Sequence, residues 1–370
     1  MAAKYRLLLS YVIPLIVSIS TCVIVTHQAR QIALLEQDNV DVFYSFAEGL
    51  EQYKPIRQEW KTRILSNFLA GRLVNHVERV YHPSDRDDAM RYIPSLWSFA
   101  WLFLTNLVFV ALDREKALVY IFGVFAGLSF AYTPGIGETR IYPWDLTSLF
   151  CFSCFVGLIK LHRVQWLVVF IPIATLFKET ALILLVAFLF WDQVPLRRRL
   201  VAILATLLAT FCLKGSVDLI TANPSPIVTM TLRDGPGVYR FSDNIRQLLY
   251  GRVWTNHPFF INSGLLASLL ILPMGDRRIH MLKAIGILFI LGNFFFGNII
   301  EYRIWFEVIP LSLYAIDVYF GSVLLHSLSA KTEDSLIRLP RVGYERRWRH
   351  VRALAQDVVR RVRQEMTSSR

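Results

Sequence analysis

Ten apolar runs pattern the chain, separated by short polar breaks: residues 7–26, 93–112, 117–133, 146–160, 164–177, 180–191, 200–213, 261–274, 282–299 and 304–325. A bilayer core takes about 20 apolar residues per helical span, so the pattern predicts an all-α polytopic transmembrane bundle of about ten spans. The fifth and sixth runs are short and meet at Phe177-Lys178-Glu179-Thr180. They predict a helical hairpin that barely reaches the far face, or one long helix broken by a charged cluster. The first run follows the basic start MAAKYR, and no small-residue cleavage site comes after it, which predicts an anchor. In the first long insertion, 27–92, the residues Ile64, Leu65, Phe68, Leu69, Leu73, Val77 and Val80 recur at helical spacing. They predict an amphipathic helix along the membrane surface, packed on the bundle.

Composition agrees with the pattern. Of 370 residues, 54% are hydrophobic and 18% charged. Soluble domains carry about 25% charged residues, so a disordered chain, a small disulfide scaffold and an ordinary cytosolic enzyme are excluded. Cys22, Cys151, Cys154 and Cys212 all lie in apolar runs, which implies no disulfide framework. The C-x-x-C spacing of Cys151 and Cys154 reads as inert packing before it reads as redox or metal chemistry.

The net charge of +12 punctuates the apolar runs and paves no face, so no nucleic-acid partner is expected. Lys and Arg in short loops set membrane orientation. Lys4 and Arg6, Arg114 and Lys116, Lys160 and Arg163, Arg197 to Arg199, and Arg277 and Arg278 all fall on one side if both termini are cytoplasmic. The loop 214–260 is a misfit, with five basic residues against three acidic ones on the other side. The organisation expected is a membrane domain over 1–330 and a basic tail over 331–370, with eleven basic and five acidic residues in the tail. Trp348, Val351, Leu354, Val358, Val359 and Val362 lean to one side of a helix there, which suits anionic lipid headgroups.

The acids gather on the other side. Asp38 and Asp41 in the first outer loop read either as a helix start, with Asp38 as N-cap and Asp41 in the first turn, or as carboxylates placed for general-base work. Glu138, Arg140, Tyr142, Trp144 and Asp145 crowd the mouth of the fourth run. Asp145 reads as an N-cap or as a substrate ligand. Lys178 and Glu179 read as a structural ion pair or as a clamp, lysine being a point charge suited to phosphate. Glu301, Arg303 and Glu307 open the last run, and Arg303 either pairs with Glu307 at i+4 or binds a diphosphate.

The run Asp41-x-x-Tyr44-x-x-Ala47-x-Gly49, after one span and before an amphipathic helix, resembles the first outer loop of the GT-C glycosyltransferase superfamily. The stretches RIYPWDL (Arg140 to Leu146), FKET (Phe177 to Thr180) and EYRIWFEVIP (Glu301 to Pro310) are similar to those of bacterial GT-C-like membrane proteins, over about 41–310. The resemblance implies transfer of a sugar from a polyprenyl-phosphate donor to a glycan or lipid acceptor outside the cytoplasmic membrane, in the bacterial inner membrane. By position it assigns the general base to Asp41, with Asp38 second. It assigns donor or substrate binding to Glu138, Arg140, Asp145, Lys178, Glu179, Arg246, Glu301 and Arg303. A divalent cation, magnesium or manganese, is the cofactor it leaves room for. The rival expectations are a flippase or other transporter of lipid-linked sugars, and a polymerase of them.

Overall fold

The computed structural model describes residues 2–35, 63–80, 86–113, 116–132, 142–220, 236–250, 265–272, 276–296 and 305–333. Among these residues the elements are all helical. They are α1 (Ala2–Leu35), α2 (Ile64–Val80), α3 (Arg86–Leu112), α4 (Ala117–Ala131), α5 (Pro143–Lys160), α6 (Leu167–Phe177) with a short 3₁₀ turn before it, α7 (Leu196–Ile220), α8 (Pro236–Leu249), α9 (Arg277–Phe296) and α10 (Val308–Glu333). A second 3₁₀ helix, Glu179–Phe190, lies between α6 and α7. Each of the ten apolar runs is helical over most of its described length. Two compact units divide the chain, Met1–Ile316 and Asp317–Arg370. The tail helix expected within 344–366 lies outside the described residues.

Among the described residues four helices are long and apolar enough to cross a membrane: Tyr11–Gln31, Tyr92–Leu112, Leu196–Ser216 and Arg277–Phe295. Two of them, α7 and α1, bury polar side chains and turn apolar ones outward, the reverse of a water-soluble bundle. In α7 the exposed side is Leu200, Val201, Leu204, Leu208 and Phe211, whereas the buried stripe is Thr206, Thr210 and Lys214. Both threonines return their hydroxyls to the carbonyl one turn earlier, at 2.6 and 2.8 Å, so no polar hydrogen is left unsatisfied. In α1, Ile13, Leu15, Ile16, Ile19, Val23 and Ile24 are exposed while Ser18, Thr21 and Cys22 are buried. Water would penalise such exposed apolar stripes; hydrocarbon accepts them. The protein is an integral membrane protein built of helices.

Side-chain contacts fix which helix ends lie together. Asp113, after α3, bonds Lys160 at the end of α5 at 2.9 Å. Arg277, at the start of α9, bonds Asp192 after the second 3₁₀ helix at 2.8 Å. Arg199 of α7 donates to the Leu189 carbonyl at 2.7 Å. These contacts mark a basic end, with Lys116, Lys160, Arg163, Arg197 to Arg199, Arg277 and Arg278. At the other end Arg30 of α1 donates to the Tyr92 hydroxyl of α3 at 2.9 Å. Chain reversals alternate between the two ends.

The fifth and sixth runs form the hairpin. α6 and the second 3₁₀ helix pack along each other, and Lys178 is the apex. The 3₁₀ form eases the length problem. Its 12 residues rise about 24 Å at about 2.0 Å each, against about 18 Å for an α-helix.

α2 packs on α3 through Ala70 and Val74 against Ile93 and Trp97, with Leu69, Leu73, Val77 and Trp101 around them. The predicted stripe is rotated: Phe68 and Val80 are exposed, while the small residues Ser66 and Ala70 are fully buried. Small side chains let two backbones approach closely, and that outweighs the gain from burying one more phenylalanine. The start of α10 is held the same way. Gly123 and Gly127 on α4 face Leu313 and Ile309, and a methyl group at Gly127 would lie 2.6 Å from Ile309 Cδ1. Small residues four apart are a common device for close helix approach in membranes.

Candidate functional site

The Lys178 end is built from the start of α5. Tyr142 leaves the loop extended, and Pro143 takes the first helical position, where a missing N–H costs nothing. Trp97 Nε1 of α3 donates to the Pro143 carbonyl at 2.9 Å and anchors that end. Asp145 is therefore a first-turn residue and not the N-cap, which is Tyr142 with no side-chain cap bond. The helix dipole still favours a carboxylate there.

The hairpin apex arrives from the opposite direction. α6 ends because Lys178 is extended, with φ −160° and ψ 137°. The terminal carbonyl of Phe177 accepts a hydrogen bond from Ser66 of α2 at 3.3 Å. Ser66 Oγ also lies 3.0 Å from Thr147 Oγ1 of α5. One small hydroxyl thus joins three elements and aims the apex at α5.

Lys178 Nζ lies 2.9 Å from Glu307 Oε1, just before α10, and 3.5 Å from Asp145 Oδ1. All three residues are buried, at 5%, 0% and 3% exposure. Glu307 Oε1 also accepts from Ser148 of α5 and from Thr180 at 2.7 Å. Among the described residues Glu307 Oε2 has no hydrogen-bond partner. Burying three ionisable groups costs several kcal/mol each, of the order of the Coulomb gain. Such an arrangement is costly at membrane depth, which makes this cluster the candidate site.

A second, wetter tier lies beside it. Glu179 lies 3.3 Å from Arg63 Nε, ahead of α2, and 3.9 Å from Lys214 Nζ at the end of the inner stripe of α7. Its side chain is 35% exposed. The Arg63 guanidinium is 4.4 Å from the centre of the Trp144 ring, and Trp144 stacks on Tyr142 at 4.8 Å. Planar Arg serves this double contact in a way Lys would not. The site therefore has a partly exposed Arg63–Glu179 pair beside the buried ion network, backed by the buried Lys214 ammonium and the buried Trp144–Tyr142 stack.

Of the residues singled out from sequence, Asp145, Lys178 and Glu179 come together here. Lys178 and Glu179 each reach partners on other elements. Arg246 is exposed on α8 and enters none of the cluster's contacts among the described residues. Asp38, Asp41, Glu138, Arg140, Glu301 and Arg303 lie outside the described residues. Sequence patterning does not single out Arg63, Ser148 or Lys214, and it offers Glu307 only as a partner for Arg303. Lys214 does carry a signal: it ends a charge-free run in register with Thr206 and Thr210.

A divalent cation does not fit the described part of the site. Among the described residues no three His, Cys, Asp or Glu side chains converge to hold one. Asp145 and Glu307 are both engaged with Lys178. All four cysteines are free. Comparison with known proteins gives no match to this chain among family models, curated proteins or solved structures.

Proposed function

We propose that this protein is a polytopic membrane glycosyltransferase of the GT-C kind, with about ten spans and its basic end facing the cytoplasm. The observation that carries the reading is the convergence of Arg63, Asp145, Lys178, Glu179, Lys214 and Glu307, from five parts of the chain, at the end opposite the basic loops. A donor whose lipid tail stays in the bilayer brings its phosphate to that depth. The acceptor hydroxyl attacks the anomeric carbon and loses its proton to a carboxylate. The bond from that carbon to the phosphate oxygen breaks, and the electron pair leaves with the polyprenyl phosphate. Arg63 and Lys214 are the cations placed to stabilise the leaving charge, and such stabilisation lowers the barrier of a transfer of this kind more than any other single effect. The proton acceptor proposed by resemblance is Asp41.

The test is reconstitution with defined polyprenyl-phosphate sugars and a glycan or lipid acceptor, with and without chelator. New glycosidic product from the wild type, abolished by Asp41→Asn in a folded protein, is the expected result. Near-wild-type turnover in that variant rejects the assignment. A second reading, transport of lipid-linked sugar, draws support from the buried Lys178–Glu307 pair among apolar helices. It predicts movement of the donor across sealed vesicles with no new bond.

A further inference from the structure

α8 is the one described helix whose outer face no sequence pattern prepared. Its inner face is fixed to the last turns of α9. Asn244, fully buried, donates to the carbonyls of Asn293 at 3.3 Å and Phe294 at 2.9 Å. Those carbonyls belong to the end of a helix, where no intrahelical partner remains. Phe241 stacks on Phe295 with ring centres 5.0 Å apart.

The outer face is exposed and divided lengthwise. Phe241, Ile245 and Leu249 recur every fourth residue on one flank, at 39%, 36% and 77% exposure, and Tyr250 follows at 79%. Ser242, Arg246 and Tyr250 form the adjoining row, also four apart and also exposed. The apolar flank continues onto α9. Ile287, Leu288, Leu291 and Phe295 form that helix's own exposed stripe, and Phe295 is the residue on which Phe241 stacks.

We infer that α8 lies in the membrane interface, with Phe241, Ile245 and Leu249 seated in the lipid leaflet at the Lys178 end and Tyr250, one turn beyond Arg246, at headgroup level. The inference rests on α9 crossing the bilayer. α9 begins beside Asp192 at the basic end, and its 20 residues rise about 30 Å, the thickness of the hydrocarbon core. A helix clamped to its last turn is then held at headgroup level. An exposed apolar stripe continuous with a lipid-facing one meets acyl chains there, while Ser242 and Arg246 face headgroups and water. Tyr250 has the amphipathic ring favoured at that depth.

The test uses the full chain in phosphatidylcholine–phosphatidylglycerol liposomes. In a Cys212→Ala background, an environment-sensitive fluorophore is attached at Leu249→Cys, Arg246→Cys or Leu288→Cys, all exposed positions. The expected result is quenching of the 249 probe by nitroxide lipids, more by a shallow nitroxide than by a deep one, with the 246 probe quenched by aqueous iodide. The 288 probe is expected to respond most to the deep nitroxide. If probe 288 reports lipid and probe 249 reports iodide as fully as probe 246, the interfacial assignment of α8 is overturned. If probe 288 itself meets iodide and no nitroxide, the membrane crossing of α9 is overturned, and α8's placement with it.

Discussion

The two ends of the bundle handle charge in opposite ways. At the basic end the ion pairs are two-membered, and two of them are wet: Arg277 with Asp192 has side chains 69% and 51% exposed, and Arg278 with Asp276 45% and 25%, while Lys160 with Asp113 is more enclosed at 20% and 23%. At the Lys178 end one ammonium serves two carboxylates, with side chains 7%, 4% and 1% exposed, and a hydroxyl from each of two elements joins them. Water screens the first kind, so each pair contributes about 0–1 kcal/mol. Nothing screens the second, so its members depend on one another. A chain that needed only solubility and orientation from its charges would build both ends like the first. The cost accepted at Lys178 is the physical reason the proposed function is placed there.

Substitutions at four positions and one titration sharpen or break that contrast, the largest effect first. Lys178→Met leaves Asp145 and Glu307 buried without their cation. It is expected to cost about 3–5 kcal/mol in chemical unfolding in detergent, the range for breaking a buried ion pair. Glu307→Gln keeps an acceptor for Ser148 and Thr180 but removes charge from Lys178, and about 1–3 kcal/mol is expected from the same measurement. Arg63→Ala loses both the Glu179 contact and the Trp144 face. About 1 kcal/mol is expected, reduced by the partial exposure of the pair, and Arg63→Lys should not restore it fully. Arg277→Ala should change stability by no more than about 0.5 kcal/mol. A cost there equal to that of Lys178→Met would erase the distinction between the ends.

The titration concerns Asp276, at the basic end outside the spans. Burial pushes its carboxyl up, but hydrogen bonds from Arg278 outweigh that and leave it below its ordinary 3.8. The folded value is depressed, so the contribution is complete above 3.8 and is lost as pH falls through the folded value. Acid unfolding of Asp276→Asn should therefore match the wild type at low pH and differ only above that range.

How much of this is legible in the sequence follows from what periodicity can carry. Long apolar runs set where helices form, and Lys178 between two of them announces the hairpin. The 3₁₀ form of Glu179–Phe190 is hidden, because a run apolar on every side has no face from which to read a period. Asp145 has the look of a cap and is a first-turn residue, since the N-cap is Tyr142, three positions earlier, with Pro143 opening the helix. Glu307 pairs on paper with Arg303, four residues away, whereas Lys178 is its partner across the bundle; long-range pairing leaves no local mark. Ser66 and Ala70 show a third limit: on α2 the packed face is chosen by small size, which a hydrophobic stripe does not record.

The most direct test of the contrast is a pair of double-mutant cycles in one detergent preparation, Lys178→Met with Glu307→Gln and Arg277→Ala with Asp192→Asn. The account predicts a coupling of at least about 1 kcal/mol for the first pair and additivity within about 0.5 kcal/mol for the second. Additivity at Lys178 and Glu307, or equal coupling at both ends, would contradict it.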